Sequence, residues 1–122
     1  MTAAPNTEGE GQALVPGPRV RRIDGREVVF DGEDFLADPD AWSESLALAL
    51  AREAGLPGLD DVQWRVVKFL REYYYTHGRA PLNRQLREGA GLSLLELESL
   101  FPGGIQRGAR RLAGLPNPKT CQ

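Results

Sequence analysis

The residue with the clearest chemistry is Cys121, the only cysteine of the chain and one residue from its end. It follows Leu115-Pro116-Asn117-Pro118-Lys119-Thr120, in which two prolines at alternate positions favour an extended backbone. The thiol is therefore expected at the tip of an arm, where no core can easily form around it. A structural cysteine is usually buried as a small hydrophobe, and an exposed thiol without a use is an oxidation liability. An arm built to present a reactive sulfur is one reading; a stray odd cysteine is the other. Chemistry at sulfur needs the thiolate, and a free cysteine with a pKa of about 8.5 is only slightly ionised at neutral pH. Arg107, Arg110, Arg111 and Lys119 are the cations near it in sequence that can raise that fraction. Each of them, taken singly, reads better as the solvated face of a helix.

Other groups carry less. Tyr73, Tyr74 and Tyr75 with Arg71 and Arg79 interleave aromatic and basic side chains as single-stranded nucleic-acid surfaces do. Three consecutive residues of a helix point in three directions, however, so core packing with solvent-reaching hydroxyls is the better reading. His77 falls at a helix C-terminus, where a cation suits the dipole. One cysteine excludes an internal disulfide, and one histidine argues against a protein-built zinc site. There is no CxxC pair and no glycine-rich phosphate loop, so no metal and no cofactor is expected.

Behind these residues stands a chain of 122 residues, 41% hydrophobic and 26% charged, the balance of one globular domain. No apolar run approaches the roughly 20 residues that cross a bilayer, and Met1 to Gly11 lacks the basic and apolar regions of a signal peptide. A cytoplasmic location is expected. The formal net charge of −2 is unevenly spread, with 5 basic and 13 acidic residues in 1–64 against 10 basic and 4 acidic in 65–122. Either the second half faces an anion or the two halves neutralise each other across the fold, and the charge split alone favours the latter.

The elements that must position Cys121 are short. Residues 1–18, with Pro5, Pro16 and Pro18 and few apolar side chains, read as a disordered tail. Asp24-Gly25 between Arg22-Ile23 and Arg26-Glu27-Val28-Val29-Phe30 signals a two-residue hairpin that ends at Asp31-Gly32. Asp38-Pro39-Asp40 is expected to open a helix running to about Ala54, with Trp42, Leu46, Ala49 and Leu50 as its buried stripe. Asp60-Asp61 opens the next, closed by His77-Gly78. Pro81 to Glu88 and Ser93 to Phe101 follow, the latter with Ser93 and Glu96 as a capping box. As a pair they could form a helix-turn-helix, with Arg84 and Arg87 available to nucleic acid and Glu96 and Glu98 opposing it. After Pro102-Gly103-Gly104 a last helix is expected over Ile105 to Ala113, stopped by Gly114.

These residues resemble the DsrC/TusE family of small sulfur-trafficking proteins. The likeness lies in Leu100-Phe101-Pro102-Gly103-Gly104, in Ala113-Gly114-Leu115-Pro116-Asn117-Pro118 and in the penultimate Cys121. It lies also in two tryptophan-containing segments, Trp42-Ser43-Glu44 and Trp64-Arg65-Val66-Val67-Lys68-Phe69-Leu70, and in a β-ribbon over Gly25 to Leu36. It spans about residues 20–122. In the sulfite-reductase-linked branch of the family a second cysteine lies ten residues before the last; this chain has Arg111 there. The single-cysteine arm is similar to the TusE type. The resemblance implies that sulfur arrives from a TusBCD-like donor complex and passes to a tRNA 2-thiouridylase, with a weak contact to tRNA and no membrane partner. Thr120 stands where many such arms have glycine, and the segment Gly89 to Leu95 looks shorter than in the tRNA-pathway members.

The expected fold is mainly α, a small helical bundle with an N-terminal β-hairpin and a flexible C-terminal arm. The expected division is a tail at 1–18, a helical domain at 19–113 and the cysteine arm at 114–122. The expected activity is that of a sulfurtransferase carrying persulfide sulfur on Cys121 toward tRNA thiolation. The alternatives are a component of a sulfur-oxidation or sulfite-reductase pathway, and a helix-turn-helix regulator or adaptor without chemistry. The arm, counted from Leu115 to Gln122, would span at most roughly 25–29 Å.

Overall fold

The computed structural model describes residues 17–117; the expected tail up to residue 16 and the arm tip with Lys119 and Cys121 lie outside the described residues. Strands β1 (Arg19–Ile23) and β2 (Arg26–Phe30) pair antiparallel with Ile23 opposite Arg26 and Arg19 opposite Phe30. Both turn residues have positive φ, 57° at Asp24 and 81° at Gly25, as a type I′ turn requires. Ile23, Val28 and Phe30 face inward and are buried. A bridge from Phe30 to Leu36 continues the ribbon into a loop that Asp31 organises. Its Oδ1 accepts from Glu33 N at 2.8 Å and from Phe35 N at 3.0 Å.

The expected single helix from Asp38 to Ala54 is divided. Pro39–Ala41 forms one 3₁₀ turn capped by Asp38, Trp42 is extended at φ −71° and ψ 149°, and helix α1 begins afresh as Glu44–Glu53. The division arises because Ser43 competes for the cap: its Oγ accepts from Leu46 N at 3.1 Å, which requires a non-helical backbone at that position. Leu46, Ala47, Leu50 and Ala51 form the buried stripe of α1.

Helix α2 (Asp61–His77) starts in a reciprocal capping box. Gln63 N donates to Asp60 Oδ1 and Asp60 N to Gln63 Oε1, each at 2.8 Å, and Gly78 closes the helix at φ 77°. Helix α3 (Asn83–Ala90) begins two residues later than expected, because Gln85 Oε1 takes the N–H of Leu82, at 2.9 Å, and makes Leu82 the cap; it ends two residues later, at left-handed Gly91. Helix α4 (Leu94–Leu100) has the expected Ser93–Glu96 box.

The last helix departs from expectation. Gly104–Ala109 is a π-helical stretch, with Arg110 N donating to Ile105 O, and only then does α5 (Arg110–Leu112) follow with ordinary spacing. Gly103 and Gly104 enter at φ 89° and 76°. Gly108 lies so close to the Phe101–Pro102 backbone that a Cβ would fall 2.6 Å from Pro102 O. The preceding chain presses on this turn, and the wider π geometry with a glycine at the contact accommodates it.

One core joins these elements through Phe30, Leu36, Leu46, Leu50, Val66, Val67, Leu70, Leu86, Leu97, Phe101, Ile105 and Leu112. Packing continues past the boundary expected at Ala113. Leu115 is fully buried and Asn117 is only 6% exposed. Among the described residues no helix is long and apolar enough to cross a membrane, and no cluster of metal-ligating side chains occurs.

Candidate functional site: the root of the cysteine arm

The described part of the site is the place where the arm leaves the body. A helix end leaves four carbonyls without an intrahelical partner. At the end of α5 these belong to Arg110, Arg111, Leu112 and Ala113, and each is taken. Leu115 N donates to Arg110 O and Gly114 N to Arg111 O, both at 3.1 Å, with Gly114 left-handed at φ 72°. That is a Schellman stop, and Leu115, the residue after its glycine, is buried in the core. The other two carbonyls are taken by side chains from distant segments: Trp42 Nε1 donates to Leu112 O at 2.8 Å, and Arg71 Nη1 to Ala113 O at 2.9 Å.

Arg71 itself is held from several directions. Its guanidinium lies 4.2 Å from the centre of the Trp42 ring and 5.2 Å from that of Tyr75, and its Nη2 donates to Pro39 O at 3.2 Å. The Tyr75 hydroxyl donates to Asp40 Oδ1. Desolvation and then this bond raise the Tyr75 pKa above its ordinary value, against the opposing pull of Arg71. Gly114 sits under the same indole: a Cβ there would be 2.7 Å from Trp42 Cδ1 and 3.1 Å from Leu36 Cδ2.

The arginines near Cys121 in sequence do not share one direction. Arg111 Nε donates to Asp34 O at 2.9 Å, and burial lowers its pKa; it remains cationic in the neutral range. Arg107 reaches Glu33 at 3.3 Å. Arg107 and Arg110 line one polar hollow together with Asn83 and Glu98, whereas Arg111 turns to the loop at Asp34.

The tyrosine triplet diverges as its spacing demands. Tyr73 stacks on His77 with ring centres 4.1 Å apart, Tyr74 packs partly buried on the core, and Tyr75 joins Arg71. By sequence Arg71 is only a basic neighbour of the tyrosines. No local signal marks it as an anchor, because its partners lie 32 and 42 residues away.

Comparison with known proteins places this geometry. The family model described as DsrC like protein matches residues 22–122. Sulfurtransferase TusE of Salmonella choleraesuis (strain SC-B67) is 35% identical over 106 residues, covering 81% of this chain and 96% of that protein. The crystal structure of the oxidized gamma-subunit of the dissimilatory sulfite reductase (DsrC) from Archaeoglobus fulgidus superposes with a TM-score of 0.74 at 32% identity, over 85% of this chain and 100% of that one. The solution structure of the Pyrobaculum aerophilum DsrC/gamma subunit gives 0.72 at 37% identity, over 86% and 96%.

Proposed function

The chain belongs to the DsrC-like family, and from that membership we propose that it is a sulfurtransferase whose working atom is the sulfur of Cys121, near the end of the arm that continues from Asn117. The observation that carries this reading is that the likeness to the family model runs to residue 122 and so takes in the arm and its cysteine. In loading, the Cys121 thiolate attacks the outer sulfur of a donor persulfide. The donor's S–S bond breaks, its cysteine leaves as a thiolate, and the outer sulfur with its proton becomes the persulfide of Cys121. In unloading, an acceptor thiolate attacks that outer sulfur and Cys121 departs as thiolate. Both steps are redox-neutral and need no cofactor.

The donor in this reading is a TusBCD-like complex, the acceptor a tRNA 2-thiouridylase with a weak contact to its tRNA, and the compartment the cytosol, where thiols stay reduced. Arg111 in place of a second cysteine favours the tRNA branch over the sulfite-reductase branch, since an arm with one thiol cannot close a bridge on itself. Intact mass spectrometry after incubation with a persulfide donor tests the assignment. The protein should gain one sulfur atom, and Cys121→Ser should gain none while its helical circular dichroism stays unchanged. Sulfur loading on the Ser variant would overturn the assignment.

A further inference from the structure

All four terminal carbonyls of α5 are satisfied, but by different kinds of partner. Two bonds are local and follow from the Gly114 stop; the bond from Trp42 belongs to a ring that also packs against the core. Arg71 is the remaining partner. It is half-buried at the rim of the core, which Val66, Val67 and Leu70 of the same helix complete. Its one guanidinium joins the arm root at Ala113 O to the turn at Pro39 O, and Trp42 and Tyr75 hold it by their faces. A planar group with donors along two directions can do this; a lysine ammonium, a point charge without a stacking face, cannot reproduce it.

We propose that Arg71 is a positioning residue for sulfur transfer: it fixes the direction in which the chain leaves the body, and so the sector of surface over which Cys121 is presented. This deepens the carrier reading and rests on it for transfer, although the geometry can be tested without any sulfur chemistry. Releasing Ala113 O and Pro39 O should let residues 114–117 shift, spreading the positions open to the tip and lowering its effective concentration at a docked acceptor. Docking of the body is not itself altered, so the loss should fall on kcat more than on KM.

Because Cys121 is the sole cysteine, a nitroxide can be attached to it in the full chain and its broadening of backbone amide signals mapped by NMR. In the native sequence the broadening should be confined to one sector of the body, and in Arg71→Gln it should weaken there and spread. Arg71→Lys, which keeps the charge and most of the stem, should behave like Arg71→Gln and serves if the latter fails to fold. Transfer of persulfide sulfur to a tRNA 2-thiouridylase should fall roughly tenfold in kcat/KM, with the thiol's rate toward a small aromatic disulfide unchanged. A broadening map unchanged in a folded variant, or transfer unchanged beside an altered map, would overturn the proposal. If the native protein accepts no sulfur, the carrier reading fails while the broadening map still decides the role of Arg71.

Discussion

At Gly114 two separate demands fall on one residue. Its φ of 72° favours glycine, and the Trp42 ring leaves no room for a methyl group at 2.7 Å. Gly55 carries only the first demand, with φ 100° and nothing within 4 Å of the place a Cβ would occupy. Gly55→Ala should therefore cost about 1 kcal/mol, the strain of a left-handed L-residue. Gly114→Ala should cost about 2–4 kcal/mol, because overpacking adds to that strain. Urea unfolding of the two variants checks the difference. That Gly114 ends a helix was legible from Gly-Leu-Pro; that it lies beneath an indole 72 positions earlier in the chain was not, since no local pattern encodes such a contact. The same holds for Cys121 and Arg71. The thiol stands out by composition, whereas the arginine looks like any basic residue on a helix until its partners are known.

Among the elements, two helix starts were legible, those of α2 and α4, because their caps are local. Asp60 opens α2 as its place before the apolar run implies, and Ser93 takes the role its spacing to Glu96 implies. The sequence misleads where a second local signal or a tertiary contact intervenes. Ser43 splits the expected first helix, and contact with Phe101 and Pro102 turns the start of the last one into a π stretch. Gln63 joins local capping to tertiary packing. It is 8% exposed, and while its Oε1 caps α2 its Nε2 donates to Leu100 O at 2.7 Å, tying the start of α2 to the end of α4. Gln63→Ala should lower stability by about 1–3 kcal/mol through partners left unmatched. Gln63→Glu, which keeps the cap but aims a carboxylate oxygen at the Leu100 carbonyl, should be worse at neutral pH. Thermal unfolding of the two variants side by side tests that order.

Across the whole molecule the charge asymmetry is partly internal. Lys68 pairs with Glu44 at 2.7 Å and Arg107 with Glu33 at 3.3 Å, each joining the basic half to the acidic one. These pairs are exposed and add little stability, yet they favour mutual neutralisation over a basic face built for an anion. Of the two prolines of the arm, Pro116 alone lies among the described residues. Pro116 lies between buried Leu115 and Asn117, whereas Pro118 follows them. Pro116→Gly should act mainly through the packing of the root and lower the thermal midpoint. Pro118→Gly should leave that midpoint alone and slow sulfur transfer to the protein acceptor, with the thiol's rate toward a small disulfide unchanged; calorimetry and the two rate assays separate these effects.

The burial of Asn117 shortens the tether. Counted from that residue, Cys121 is only four positions away, so its Cα lies within a shell of at most roughly 13–14 Å, about two thirds of its reach counted from Leu115. A sulfur recessed further than that inside a partner is inaccessible to an arm that merely swings. In the carrier reading the partner then has to bring its own surface against the body near the half-buried Trp42 and Arg71. Recognition on this view belongs to the fit of that contact, and the arm serves as a gauge that admits only acceptors whose thiol lies at a matching depth.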